Sequence, residues 1–321
     1  MTENTPLKQT YSKFQNLKDP FEIASDLQGC VLAIGNFDGM HKGHQAVLEQ
    51  AIKMGKRLNC QLALLNFEQH PREYFQPGLK IFRLSPTDVK ALLAERFGLD
   101  AMITLSFNAD LAAKTADEFI QDILVDRFHI RGAVVGFDFQ FGAKRTGTAQ
   151  SLKDAGTHLG FEVDITPEFK SGEQEISSTI IRQKLREGYI KAANALLGYD
   201  WFIMGKVVHG QKLGRTMGFP TANIRLDTGC ELKHGIYAVR LEVDGSTHEA
   251  VASFGRRPTF DNGAPLLEVF IFDYSGDLYD KIVNVSFVDF IRPEAKFDGI
   301  DPLIAQMNKD SVVARRILNE D

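Results

Sequence analysis

Two histidines three positions apart, His41 and His44, close the run Gly35-Asn36-Phe37-Asp38-Gly39-Met40-His41-Lys42-Gly43-His44, whose residue types suit anion chemistry. Imidazole N–H groups can stabilise charge that builds on a phosphate oxygen. The glycines let a ligand approach the backbone. A plainer reading makes the histidines polar residues that open a helix and bind nothing. The flanks favour the first reading. Cys30-Val31-Leu32-Ala33-Ile34 is a continuous apolar run of strand length, and Val47, Leu48, Ala51, Ile52 and Met54 recur at helical spacing. The run is therefore a strand-to-helix turn at the carboxyl end of a strand, where open α/β sheets take their ligands. The helix start adds unpaired N–H groups and a positive dipole end. Gly35, Asn36, Phe37, Asp38, Gly39, His41 and His44 read as a nucleotide α-phosphate site.

Further groups could join that chemistry. In Ile176-Ser177-Ser178-Thr179-Ile180-Ile181-Arg182 three hydroxyls and an arginine crowd one helix start, which makes a second anion site or, more plainly, a helix cap. Gly136-Phe137-Asp138-Phe139-Gln140-Phe141-Gly142 sets Asp138 among rings. Either it hydrogen-bonds a flat heterocycle wedged by Phe139 and Phe141, or the rings are core. Later, Gly210, Lys212, Gly214, Arg215 and Gly218 suit a flexible phosphate-covering loop that is not a Walker A motif; a long polar hairpin is the alternative. Thr221 and Asn223 offer two oxygen ligands, too few for a metal cage. They suffice for Mg²⁺, whose remaining positions go to water and phosphate. Glu268 interrupts the apolar Leu266–Phe270 run and is either on a solvated face or a general base for a substrate hydroxyl. Arg292-Pro293-Glu294-Ala295-Lys296-Phe297 could close over a ligand.

The elements that must hold these groups fall into two sets. After a polar lead-in over residues 1–28, with a short helix expected around 21–26, strands at 62–67, 101–105, 133–135 and 161–165 alternate with helices at 88–97, 116–128, 151–159 and 178–187. That alternation predicts a doubly wound, Rossmann-like parallel sheet, and the His41-Lys42-Gly43-His44 signature at its first turn resembles that of nucleotidyltransferases. From Trp201 onward, short β runs separated by turns and a last helix near 302–318 predict a small antiparallel β-barrel with a C-terminal helix. The expected domains are 1–188 and 189–321. A net charge of −5 argues against nonspecific nucleic-acid binding. Three scattered cysteines argue against a disulfide framework, and no apolar run approaches membrane-spanning length. A cytoplasmic protein, monomeric or weakly homo-oligomeric, is expected.

Read in order, the histidine signature, the Ile176–Arg182 signature, Gly218-Phe219-Pro220-Thr221-Ala222-Asn223, Gly235-Ile236-Tyr237-Ala238-Val239, Leu267-Glu268-Val269 and Arg292–Phe297 resemble the bacterial bifunctional riboflavin kinase/FMN adenylyltransferase family. The resemblance covers nearly the whole chain. It implies that the second domain phosphorylates riboflavin to FMN with ATP and Mg²⁺, and that the first adenylylates FMN to FAD, releasing pyrophosphate. It further implies that Thr221 and Asn223 hold Mg²⁺ and phosphate, that Glu268 is the base, and that the glycine loop covers ATP. Arg292, Glu294 and Phe297 would lie near the kinase flavin. In the first domain, His41, His44, Ser177, Ser178, Thr179 and Arg182 would bind triphosphate, with Asp138, Phe139 and Phe141 at the flavin. Gln69, Gln140 and Ser253 depart from the family pattern without removing a proposed catalytic group. A kinase with a silent first domain, a non-catalytic flavin-binding regulator and an RNA-binding synthetase relative are the competing readings. The intact His41, His44, Arg182, Thr221, Asn223 and Glu268 count against the first two, and the net charge against the third.

Overall fold

The computed structural model describes residues 14–320 except 24, 26, 70, 77, 172–173, 210–217, 227–228 and 257–264. The chain forms two compact units, one of residues 1–81 and 85–176, the other of residues 82–84 and 177–321.

The first unit is built on a six-stranded parallel sheet. Its strands are β1 (Gln15–Lys18), β2 (Val31–Ile34), β3 (Leu62–Phe67), β4 (Ala101–Leu105), β5 (Gly132–Gly136) and β6 (Glu162–Thr166), in the order β1-β4-β3-β2-β5-β6. β2 and β4 are buried along their whole length, as expected of strands covered on both faces. Helices α1 (Lys42–Leu58), α2 (Thr87–Arg96), α3 (Ala116–Glu118, continued as π-helix over Phe119–Arg127) and α4 (Ala149–Leu159) connect them. Leu32, Ile34, Ile103 and Val135 of the sheet pack with Phe119, Ile123 and Leu124. From β2 the chain winds one way to β3 and β4, while β5 lies on β2's other side. The crevice outside the carboxyl ends of β2 and β5 is thus the switch point where doubly wound sheets bind ligands.

Two expectations need correction here. Gln15–Lys18, expected as lead-in, is an edge strand paired with β4; Leu17 is its lone apolar residue, so no run announces it. The helix expected over 21–26 lies partly outside the described residues, and Phe21–Ile23 are not helical.

In the second unit, α5 (Ser178–Glu187) and α6 (Ile190–Leu197) precede a closed barrel. Both helices end on glycines in the left-handed region, Gly188 and Gly198. The barrel strands are β7 (Phe202–Val208), β8 (Thr221–Arg225), β9 (Gly235–Val243), β10 (Ser246–Arg256), β11 (Pro265–Ile271) and β12 (Ile282–Arg292), in the order β7-β8-β11-β10-β9-β12. Each neighbouring pair is antiparallel. Alternation sends Tyr237, Val239, Ala252, Phe254, Leu267 and Val269 inward, all buried. Helix α7 (Ile300–Glu320) covers part of the outside through Ala314 and Leu318 against Ala238, Phe272 and Val288.

Candidate active sites

The turn after β2 is strained and tightly tied. Phe37 (φ 47°), Gly39 (φ 81°) and Met40 (φ 36°) lie in the left-handed region, which non-glycine residues enter at a cost of about 1–2 kcal/mol each. Asp38 is buried, and its Oδ1 accepts from the Ser85 N–H (2.9 Å) and hydroxyl (3.2 Å), while Ser85 Oγ accepts from the Gly39 N–H at 2.7 Å. The Asp38 carboxylate therefore clasps the turn. Lys90 of α2 donates to the Asn36 carbonyl at 2.7 Å.

His41 is the N-cap of α1, and its Nδ1 accepts from the His44 N–H at 3.4 Å. An accepting Nδ1 carries no proton, so the neutral ring keeps its N–H at Nε2. The two rings stack with centroids 3.7 Å apart and an interplanar angle of 17°, and Phe37 lies 5.2 Å from His44. Gly43 permits this fold-back, because a Cβ there would come within 3.2 Å of the His41 ring. His44 keeps part of its surface open, yet its Nδ1 is shielded. Burial first, then the neighbouring His41 and the Lys90 ammonium, hold its pKa well below the ordinary histidine value. Near neutrality it is an uncharged imidazole, able to offer a ligand a dipole but no charge.

On the other side of the crevice, Asp138 is exposed just beyond β5. Phe141 is buried, 5.3 Å from a stacked Phe139 and 5.5 Å from Phe119, so its ring is core; the exposed ring of this motif is Phe137 at 54%. A further aromatic group, not expected from the sequence, follows β3 and β4. Phe107 meets Phe67 (6.1 Å), Tyr74 (5.3 Å) and Phe75 (5.9 Å) edge-on, and Phe75 is 64% exposed. Tyr74 and Phe75 come from a short helix, Pro71–Phe75, where the sequence suggests only a polar turn. Its signal was two adjacent rings after a strand end, too short a stretch for periodicity.

The Ile176–Arg182 signature opens α5. Ser177 is the N-cap, its hydroxyl accepting from the Ile180 N–H at 3.4 Å. Ser178 is partly buried and Thr179 exposed, while Arg182 Nε donates to the Phe82 carbonyl at 2.6 Å.

In the barrel, register brings together residues far apart in sequence. Asn223 of β8 and Ser253 of β10 both sit opposite Glu268 of β11, and Thr221 is two positions from Asn223 on the same face. Their neighbours Ala222, Leu267, Val269 and Ala252 point inward, so Thr221, Asn223, Ser253 and Glu268 share the outer face. Glu268 is half-buried and Asn223 is 7% exposed. Of the expected phosphate-covering loop, Gly210, Lys212, Gly214 and Arg215 lie outside the described residues; Gly218 begins the approach to β8 with φ 84°.

At the end of β12, Arg292 Nε and Nη2 reach Asp310 of α7 at 2.8 and 2.7 Å, and Gln306 donates to the same carboxylate at 2.9 Å. The guanidinium carbon lies 5.9 Å from the Phe297 ring centroid. Glu294 is 3.7 Å from His234 and packs so closely on Gly255 that a Cβ there would collide with its carboxylate. Asp310 was not foreseen, since a lone aspartate in a polar helix looks like any surface acid.

Comparison with known proteins decides the family. Residues 23–180 match the FAD synthetase family and residues 197–318 the riboflavin kinase family. The bifunctional riboflavin kinase/FMN adenylyltransferase of Haemophilus influenzae is 42% identical over 91% of this chain and 96% of its own. The chain belongs to the bifunctional riboflavin kinase/FMN adenylyltransferase family. Other members are the Escherichia coli K12 enzyme, 39% identical over 90% of this chain and 92% of its own, and that of Listeria monocytogenes, 38% identical over 87% and 90%. A solved structure described as a macrolide-efflux protein from Streptococcus pneumoniae is 34% identical and shares the fold with a TM-score of 0.80, covering 90% of this chain and 94% of that one. Among the described residues no helix is long and apolar enough to cross a membrane. As a member of this family, the protein is an enzyme of flavin cofactor synthesis with both activities, phosphorylation of riboflavin to FMN and adenylylation of FMN to FAD.

Proposed function

We propose that the two steps use the two residue sets described above, with residues 1–188 serving adenylylation and 189–321 phosphorylation. The register row of Asn223, Glu268 and Ser253 carries the kinase assignment. A half-buried carboxylate beside an amide and a hydroxyl can take a proton from the ribityl terminal hydroxyl while the neighbouring oxygens hold phosphate. Thr221 Oγ and the Asn223 amide oxygen are hard donors on one face, which fits Mg²⁺ completed by water and ATP oxygens. When bound, the ion neutralises phosphate charge. The glycine loop with Lys212 and Arg215 covers ATP, and Arg292, Glu294 and Phe297 border the flavin.

For adenylylation, the stacked His41–His44 pair carries the assignment. His41 offers an Nε2 proton to the α-phosphate, and His44, held neutral, supplies a second dipolar contact. Ser177, Ser178, Thr179 and Arg182 bind the remaining triphosphate. The FMN phosphate attacks the α-phosphorus, the bond to pyrophosphate breaks, and the shifting charge meets fixed donors, so no covalent enzyme intermediate is required. Asp138 and Phe139 serve the flavin, with the core ring of Phe141 stacked behind Phe139, and the exposed ring of Phe137 adds stacking surface at that edge of the crevice. Riboflavin, FMN, FAD and ATP are the partners. No nucleic acid or membrane is involved, and the enzyme works in the cytoplasm as a monomer or weak homo-oligomer.

The test is product analysis by HPLC with riboflavin, ATP and Mg²⁺. The parent should give FMN then FAD, Glu268→Ala no FMN, and His44→Ala FMN without FAD. FAD from His44→Ala at the parental rate would remove the histidine assignment.

A further inference from the structure

A buried polar relay stands behind the histidine turn. Lys90 is 8% exposed, Asn66 1% and Thr104 2%. Lys90 Nζ donates to the Asn36 carbonyl (2.7 Å) and to Asn66 Oδ1 (3.2 Å); Asn66 Nδ2 in turn donates to Thr104 Oγ1 (2.9 Å) and the Ile103 carbonyl (3.3 Å). Asn66 and Thr104 face each other in the β3–β4 register, each one residue from the carboxyl end of its strand. The relay thus runs from β4 and β3, through Lys90 of α2, to the residue just before the strained Phe37–Met40 segment.

Such an arrangement is costly. Burying an ammonium costs several kcal/mol before its hydrogen bonds are counted, and an apolar side chain of like volume often packs at no loss. Stability alone gives Lys90 little reason to sit there. The turn does, because Phe37 and Met40 hold left-handed conformations that relax unless the surroundings over-determine them. Ser85 fixes the Asp38–Gly39 end, and the Lys90–Asn36 bond fixes the end that leaves β2. Relaxing either end moves the backbone that delivers His41 and His44 to the crevice.

We propose that Lys90, seated on Asn66 and Thr104, is a positioning residue for adenylyl transfer, holding the Asn36–Met40 turn in the conformation that aims His41 and His44 at the α-phosphate. The inference rests on the reading of those histidines as the phosphate site. Its charge also helps keep His44 neutral.

The two activities of one chain provide the control. FMN adenylylation and riboflavin phosphorylation are measured separately on the purified full chain for Lys90→Met, Asn66→Leu, Asn66→Asp, the Lys90→Met/Asn66→Leu double variant and His44→Ala. A misplacement on the order of 1 Å costs about 100-fold in rate. Lys90→Met and Asn66→Leu should each lower the adenylylation kcat by about 10- to 100-fold, with the KM for ATP changed far less and the kinase rate unaltered. Asn66→Asp still accepts from Lys90 and from the Thr104 hydroxyl but loses the bond to the Ile103 carbonyl, so it should lose clearly less than Asn66→Leu. The double variant should be no worse than the worse single one, as for members of one network.

A Lys90→Met kcat near the parental value overturns the proposal. So do equal losses in both activities, or losses that multiply in the double variant, since these report general destabilisation. Should Lys90→Met not fold, the contrast of Asn66→Leu with Asn66→Asp decides. Unimpaired adenylylation in His44→Ala sinks the phosphate-site reading itself, whereas an inactive His44→Ala beside an active Lys90→Met sinks this inference alone.

Discussion

Removing the Asp310 carboxylate should unfasten the Arg292 segment from the C-terminal helix at a measurable cost in stability. The Asp310 side chain is 6% exposed and that of Arg292 21%, and two hydrogen bonds of 2.8 and 2.7 Å join them. Stripping one partner from a buried pair costs about 3–5 kcal/mol, because the other charge remains without compensation. Water reaching the one-fifth-exposed guanidinium reduces this to about 2–3 kcal/mol for Asp310→Ala. The chain's single tryptophan, Trp201, is 2% exposed and lies in the second unit, packed 5.2 Å from Phe287. Its fluorescence therefore follows urea unfolding of that unit. At an m-value of about 2 kcal/mol/M, the midpoint should fall by about 1–1.5 M. An Arg292→Met/Asp310→Leu variant, which removes both charges, should recover most of the loss, while kinase activity falls in both variants. A midpoint shift below about 0.2 M, or a double variant less stable than Asp310→Ala, would refute the reasoning.

Other outcomes follow from the same geometry. Gly43→Ala adds a helix-favouring residue worth up to about 1 kcal/mol, yet its Cβ would press the His41 ring at 3.2 Å. Thermal stability should hold or rise slightly while FAD formation drops at least about tenfold and FMN formation stays constant. His44 titrates well below the ordinary histidine value when folded and near about 6.5 when unfolded. The unfolded chain thus takes up the proton first on acidification, and stability is lost as pH falls below that value. Between pH 7.5 and 5.5 the parent should lose up to about 1.4 kcal/mol more than His44→Gln in the first unit, read by amide exchange along α1. Chelation of divalent cations should stop FMN formation, Mg²⁺ should restore it, and Thr221→Val should raise the Mg²⁺ concentration that half-restores it.

Much of the architecture could be read from the chain because its signals are local. β2, β3 and β4 are apolar runs ended by glycine or polar residues, α5 and α6 stop at Gly188 and Gly198, and the His41 cap lies within the motif itself. Alternation along Tyr237, Val239, Leu241 and Val243 likewise announces a strand with one buried face. Where the pattern was short or mixed, it failed. Gln15–Lys18 becomes a strand only by pairing with β4, and Tyr74 and Phe75 take their places in a five-residue helix beside Phe107.

What the sequence determined by itself was the order of the elements, the two kinds of domain and which side chains carry chemistry, since periodicity, caps and motif spacing act over a few residues. Only the tertiary structure decided which of those side chains face a substrate and which hold the others in place. Asp38 looked like a ligand group and is a clasp, because Ser85 reaches it from 47 positions away. Lys90 and Asp310 carry no sequence signal of their own and are buried, for their partners Asn36 and Arg292 stand 54 and 18 positions off. Contacts of that separation cost chain entropy to form and leave no periodic trace, so they exist only once the packed core has brought the strands and helices together.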